Sequence, residues 1–265
     1  MNISLNNNES LIIQHLNQMK KQLQILTVTF ITVAFISCSK EKIEMTEMQS
    51  ATSEEIASSS SSNRPYIDPL TIGLEARFEF NGNLKNLTRG VADGIPSRRV
   101  PSYGPDRKGN FKSSLYLDGA YSVKLNDVPQ QTNTSLSVWV KPSQLDGGGN
   151  IVDNDLWQVG PRVSQAGSNW RTSIYTGVST PGATNDILNT NWHHVVITFD
   201  GSNVRAYINN VLKSTIPHSA IISPSLTDFF VGWGHVYGFW TGYVDDLRFY
   251  SRTLSASDVQ KLYNL

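Results

Sequence analysis

The chain has 265 residues, 39% of them apolar, with 22 basic and 22 acidic side chains and one cysteine. That length and apolar content support one medium domain with extensions, and the zero net charge argues against a nucleic-acid partner, which normally requires a basic surplus. Cys38 stands alone, so the chain contains no disulfide framework.

Lys20-Lys21 precedes an apolar run of 14 residues from Leu23 to Ile36, followed by Ser37-Cys38. A basic start, an apolar stretch and a small residue before the cut are the layout of a secretory signal. The run is short for a membrane span, which needs about 20 apolar residues, and it carries Gln24 and three threonines. Met19-Lys20-Lys21 reads as the natural start of such a signal, which places residues 1–18 upstream of the expected initiation codon.

Phe35-Ile36-Ser37-Cys38 resembles a bacterial lipobox, with Phe35 where leucine is usual. The resemblance implies that Cys38 receives a diacylglyceryl group, is freed as the new terminus and is acylated again, and two or more acyl chains anchor stably. The competing reading is a cysteine buried in an apolar helix. Ser39-Lys40-Glu41-Lys42-Ile43-Glu44 resembles the charged tract of surface-exported lipoproteins of Bacteroidota; the plainer reading is a solvated linker. Residues 51–63, ATSEEIASSSSSN, bury too little apolar surface to offset the entropy of ordering and read as a flexible tether. The expected organisation is a signal peptide over 1–37, an acylated cysteine with a disordered tether over 38–66, and a globular domain over 67–265.

From Pro69 the character changes to short runs of β-branched and aromatic residues separated by Gly, Asn, Asp and Pro. Strands are expected at 74–80, 114–117, 121–125, 136–140, 151–152, 157–159, 171–175, 193–199, 204–208, 229–231 and 243–249. The pair 193–199 and 204–208 is joined by Asp200-Gly201-Ser202-Asn203 and followed by an Asn209-Asn210 turn, whose residues tolerate positive φ. Alternation sets His193, Val195, Ile197 and Phe199 on one face. Many short strands with almost no helical period mean an all-β, two-sheet antiparallel sandwich of jelly-roll type. Ser255-x-x-Asp258 has capping-box spacing and predicts one short C-terminal helix.

Five blocks occur in order: ARFEFNGNLKNLT, PDRKGNFKSSLYLDGAYSVKL, SLSVWVKP, NWHHVVITFDGSNVRAYINNVLK and GYVDDLRFYSRTLSASDVQKLY. Together, from about Leu70 to Leu265, they resemble the laminin-G-like jelly roll of the concanavalin A-like lectin and glucanase superfamily. One fold hosts many activities, so function must be argued from a site.

The resemblance implies that sugar-cleaving relatives use closely spaced glutamates on one strand, and hydrolysis needs two carboxyl groups flanking the bond. From Pro65 onward this chain has two glutamates, Glu75 and Glu79, nearly two strand repeats apart. Asp153 and Asp155 are better spaced but read as an Asp-Asn-Asp turn. His193 and His194 point to opposite faces of their strand and cannot share a metal. The expectation is a protein that is not an enzyme.

For a cofactor, the resemblance implies one structural calcium ion, a hard cation that takes carboxylate and carbonyl oxygens. Asp245 matches the family's acid, Gly119 its backbone carbonyl donor, and Asn81 is a candidate by position. The alternative is that Asp245 pairs with Arg248 or Arg107 and binds no metal.

For a ligand, Trp233, His235, Tyr237, Phe239 and Trp240 crowd a Gly-punctuated segment, and Trp170-Arg171 follows another loop. Loop aromatics can stack on sugar rings while Arg, Asn and Asp bond hydroxyls. Trp170, Arg171, Tyr237 and Trp240 are therefore the candidate ligand residues; the competing reading is a hydrophobic cap. The expected function is a lipid-anchored outer-membrane protein facing the cell exterior that binds a polysaccharide or glycoconjugate. A protein-interaction or adhesion module and an atypical glycoside hydrolase are the alternatives.

Overall fold

The computed structural model describes residues 67–97, 100–154, 158–177, 181–186 and 189–265; the expected signal, Cys38 and the tether lie outside them. Fifteen strands are present among the described residues. They are β1 Leu74–Phe78, β2 Ile95–Pro96, β3 Ser102–Gly104, β4 Ser114–Asp118, β5 Val123–Gln130, β6 Thr134–Pro142, β7 Gly148–Asn154, β8 Gly160–Ala166, β9 Asn169–Tyr175, β10 Gly182–Asp186, β11 His193–Phe199, β12 Asn203–Ile208, β13 Val211–Pro217, β14 Ser225–Val231 and β15 Thr241–Tyr250; helix α1 Ala256–Tyr263 follows.

The strands form two antiparallel sheets, as the short alternating runs require. The first has the order β13-β12-β11-β6-β15-β4-β3, with β1 also on β15; the second has the order β10-β9-β8-β7-β14-β5-β2. β15 pairs with β4 through Thr241–Val244 and with β1 through Leu247–Tyr250. A bulge between Asp245 and Arg248, with Asp246 at φ 45°, marks the change of partner. Bulges re-aim side chains, and this one gathers Asp245, Asp246 and Arg248 at one place.

The core lies between the sheets and follows the period-2 pattern. Leu136, Val138 and Val140 of β6, with Val195, Ile197 and Phe199 of β11, face Val163, Ile174, Phe229 and Val231 of the second sheet. Phe229 and Phe249 join the layers with ring centroids 4.5 Å apart, and each such ring stabilises the fold by about 1.5–3 kcal/mol on burial. Asn209 and Asn210 both take positive φ in the β12–β13 turn.

Part of the outer face of the first sheet is covered by the C-terminal helix. Ser255 accepts from the Asp258 backbone N–H at 3.1 Å and Asp258 accepts from the Ser255 N–H at 3.0 Å, closing the expected capping box. The cap sets α1 so that Val259 and Leu262 bury against Val196, Tyr207 and Tyr250. Trp139 is buried on this outer side, stacked 5.4 Å from the Tyr263 ring, and not between the sheets. His193 and His194 do face opposite ways: His193 meets Trp170 edge-on at 5.8 Å, while His194 stacks on Trp139 and its Nε2 lies 2.8 Å from Ser137 Oγ.

Two readings of the sequence change. Of the strand expected at 157–159, residues 158 and 159 lie outside any strand and residue 157 lies outside the described residues; β8 starts at Gly160, and its outward residues Arg162 and Ser164 are polar. The Asp-Asn-Asp turn is, at Asp153 and Asn154, the buried end of β7; Asp155 lies outside the described residues.

Candidate functional site

Strands β7 to β10 lay polar residues on the outer face of the second sheet. In one cross-strand row, Asn150 pairs with Ser164, Ser164 with Arg171, and Arg171 with Thr184. In the next, Arg162 pairs with Ser173 and Ser173 with Gly182, while Phe230 of β14 stands opposite Asp153. A register shift between Asn150 and Val152 turns Ile151 and Val152 both into the core and leaves Asn150 and Asp153 outside. These rows floor a groove of about 340 Å³, rimmed by Val236 and Tyr237 from the β14–β15 loop.

That loop is fixed to the sheet. Gly234 and Gly238 exchange backbone hydrogen bonds at 3.3 and 3.0 Å, and the Asn150 N–H donates to the Gly238 carbonyl at 3.2 Å. The Tyr237 N–H donates to Asn150 Oδ1 at 2.9 Å, while Asn150 Nδ2 donates to Asp153 Oδ2 at 2.6 Å. A Cβ on Gly234 would come within 2.1 Å of Asp153 Oδ2, so only glycine lets the loop approach this closely. Asp153 in turn receives Arg162 Nε at 2.9 Å. At the rim the Arg171 guanidinium lies 5.2 Å from the Tyr237 ring centroid, and its Nη1 donates to Tyr237 Oη.

Of the four expected ligand residues, the structure therefore brings together Arg171 and Tyr237, both exposed. Trp170 and Trp240 are 0% and 1% exposed and cannot stack on a sugar. The reason is strand alternation: Arg171 faces out, so its neighbour Trp170 faces in. Trp240 leads into β15 and turns inward over Gly242, where a Cβ would come within 2.3 Å of its ring. Asn150, Arg162, Ser164, Ser173 and Thr184 were not singled out from the sequence. Their signal is the polar residues set among apolar ones in NIVDN, GPRVS, NWRTS and GATND, which is visible only once the inner face is known.

A second cleft, of about 370 Å³, opens on the other sheet between β1, the segment before β4, and β15. Asp245 and Asn81 both line it, but Gly119 does not belong with them. Asp118 stands opposite Thr241, and Asp245 lies four residues further along β15, which is about 13 Å at a rise of about 3.3 Å per residue. The Arg107 Nη1 donates to Asp245 Oδ2 at 2.6 Å, and Arg248 grips Asp246 through Nε and Nη2 at 2.8 and 3.0 Å. Burial pushes the Asp245 carboxyl up to about 7, against the lowering pull of Arg107 and with Asp246 and Asp106 adding to the rise. Calcium needs six to eight oxygen ligands; here a guanidinium stands against the carboxylate such an ion would take. The donors do not fit a calcium ion. Among the described residues no three His, Cys, Asp or Glu side chains form a metal-binding cluster.

Two antiparallel sheets, one partly covered by a helix and one carrying a polar groove, define a jelly-roll sandwich. The chain belongs to the Laminin_G_3 family of the concanavalin A-like lectin/glucanases superfamily, matched over residues 117–260. Domain 4 of AbnA, a GH43 extracellular arabinanase from Geobacillus stearothermophilus in complex with arabinotriose, is similar at 22% identity and a TM-score of 0.60, covering 72% of this chain and 98% of that one. The binding domain of botulinum neurotoxin DC is similar at 15% identity and a TM-score of 0.58, in complex with rat synaptotagmin II (72% of this chain, 51% of that one) and with SialylT (74% and 52%). This chain thus spans about half the length of the toxin binding domains. At these identities the likeness is one of fold. No curated protein sequence matches the chain.

Proposed function

We propose that the protein is a surface lipoprotein whose jelly roll holds a polysaccharide or glycoconjugate in the β7–β10 groove without cleaving it. The observation that carries this is the exposed Arg171–Tyr237 pair, fixed at the rim of a groove floored by hydroxyl and amide side chains. An aromatic ring with flanking polar donors is how proteins grip the apolar face and the hydroxyls of a sugar. The solved neighbours holding arabinotriose and SialylT support the class of ligand.

The absence of catalysis is supported by the groove's carboxylates. Among its described lining residues Asp153 is the one acid, and it is committed to Arg162 and Asn150. Glycoside hydrolysis uses two carboxyl groups about 5–9.5 Å apart. Anchoring at the outer membrane, facing the exterior, is supported by the resemblance of Phe35-Ile36-Ser37-Cys38 to a lipobox and by the serine-rich composition of residues 51–63.

The test is a glycan array with the full-length protein, followed by titration of the hits against Tyr237→Ala. Loss of about ten- to a hundredfold in affinity with an unchanged melting temperature is expected, by analogy with aromatic stacking of about 1–3 kcal/mol per ring. Unchanged affinity would remove the groove as the sugar site.

A further inference from the structure

We infer that the groove selects acidic glycans, sugars that bear a carboxylate, and that Arg171 is the residue that reads the charge. This rests on the groove being the sugar site. The charge balance of the lining residues carries it. Asp153 and Arg162 cancel each other, with Arg162 Nε on Asp153 Oδ1 at 2.9 Å. Arg162 is further occupied by Asn154 Oδ1 and lies 5.4 Å over the Tyr175 ring. The hydroxyls of Ser164, Ser173 and Thr184 are neutral. Arg171 remains, exposed, as the cation among the described side chains of the groove that no carboxylate neutralises.

Its setting suits an anion rather than a hydroxyl. The guanidinium is steadied from one side by the Tyr237 ring and uses Nη1 on Tyr237 Oη. That leaves further N–H donors in the planar fork that matches a carboxylate bidentately. Because Tyr237 Oη accepts from Arg171, the phenol's own O–H stays available as a donor to the same anion. Asn150 holds the Tyr237 backbone at 2.9 Å, so the pair is placed before the ligand arrives.

The experiment is calorimetric titration of the full-length protein with trigalacturonate and sialyllactose, with the methyl ester of each, and with neutral arabinotriose. The esters keep the rings and remove the charge. At least one acid should bind about tenfold or more tightly than its ester, and raising the salt to about 0.5 M should shrink that ratio. Arg171→Gln should bring the ratio to about one, and Arg171→Lys should restore part of it. Both variants should melt with the wild type, since the side chain is exposed. Equal binding of each acid and its ester overturns the charge selection and leaves the groove as a neutral-sugar site. A preference that survives in Arg171→Gln overturns the role of Arg171. Failure of all five ligands to bind overturns the groove as a sugar site and the inference with it.

Discussion

Trp240 donates its indole N–H to Oε1 of Gln165 at 2.8 Å, with both side chains buried beneath the rim that carries Tyr237. Gln165 is held from the other side, its Nε2 donating to the Gln144 and Gly167 carbonyls at 2.8 and 3.0 Å. A buried indole is stabilised by an acceptor, and here the acceptor comes from an inward residue of β8. The groove therefore rests on a polar contact within the core.

Removing the ring should cost the fold, not merely the ligand. Trp240→Ala is expected to lower stability by about 3–5 kcal/mol, the range for deleting a large buried aromatic side chain. Gln165→Leu should cost about 1–3 kcal/mol by stranding the indole N–H. Urea titration followed by tryptophan fluorescence measures both. A Trp240→Ala midpoint equal to that of wild type would return Trp240 to the surface.

The elements read most clearly from the sequence were those that bury a full face. The β11–β12 pair alternates strictly and ends in Asn209-Asn210, and α1 announces itself through Ser255 and Asp258. By contrast, β2, β3, β10 and β13 are short or lie at sheet edges. In β13, Val211, Leu212 and Lys213 are all exposed, so no inward row reveals the strand. For the site, glycines beside aromatic rings point to loop rings; Tyr237 is one, whereas Trp240 lies past the loop and turns inward over Gly242, which makes room for the indole. Arg171 and Tyr237 meet across 66 residues of sequence, a closeness that only the sheet register creates.

Melting curves in excess calcium and in chelator should coincide, because the Arg107 guanidinium already occupies Asp245 Oδ2. A bound ion would stabilise by about 2.7 kcal/mol at a hundredfold excess over its dissociation constant, which differential scanning calorimetry detects readily. A calcium-dependent rise in melting temperature would refute the misfit argued from Arg107. Arg107→Ala should push the Asp245 carboxyl higher still, because the guanidinium is the main pull against burial, so urea midpoints should drop more above pH 7, where Asp245 must ionise, than at pH 5.

Membrane attachment is expected to hang on one atom, the Cys38 sulfur. Cys38→Ala should leave the chain unacylated and move it from the membrane pellet to the soluble fraction after lysis. Persistence of that variant in outer membranes washed with high salt would exclude the lipid anchor.

The last prediction concerns pH and follows from one cross-strand row on the outer face of the first sheet. Asp245 stands opposite Trp139, and Trp139 opposite His194. Burial lowers His194 from 6.5 to about 3, with Asp246 pulling upward and Arg107 and Arg248 adding to the fall. The native state then binds fewer protons than the unfolded chain between about pH 3 and 6.5, so the contribution of His194 is present above 6.5 and is lost as the pH falls through that window. Asp245 has the opposite sign. Its carboxyl rises from 3.8 to about 7, so the native state binds more protons in between, and its contribution is present below 3.8 and is lost as the pH rises to about 7. The two slopes oppose each other over most of the same range, and the wild type should show a shallow profile there. His194→Gln removes one of them. Urea midpoints taken at half-unit steps should then fall from pH 4 to pH 7 more steeply in the variant than in the wild type. Parallel profiles for the two proteins would mean that His194 titrates alike in the folded and unfolded states, and the assigned burial effect would be wrong.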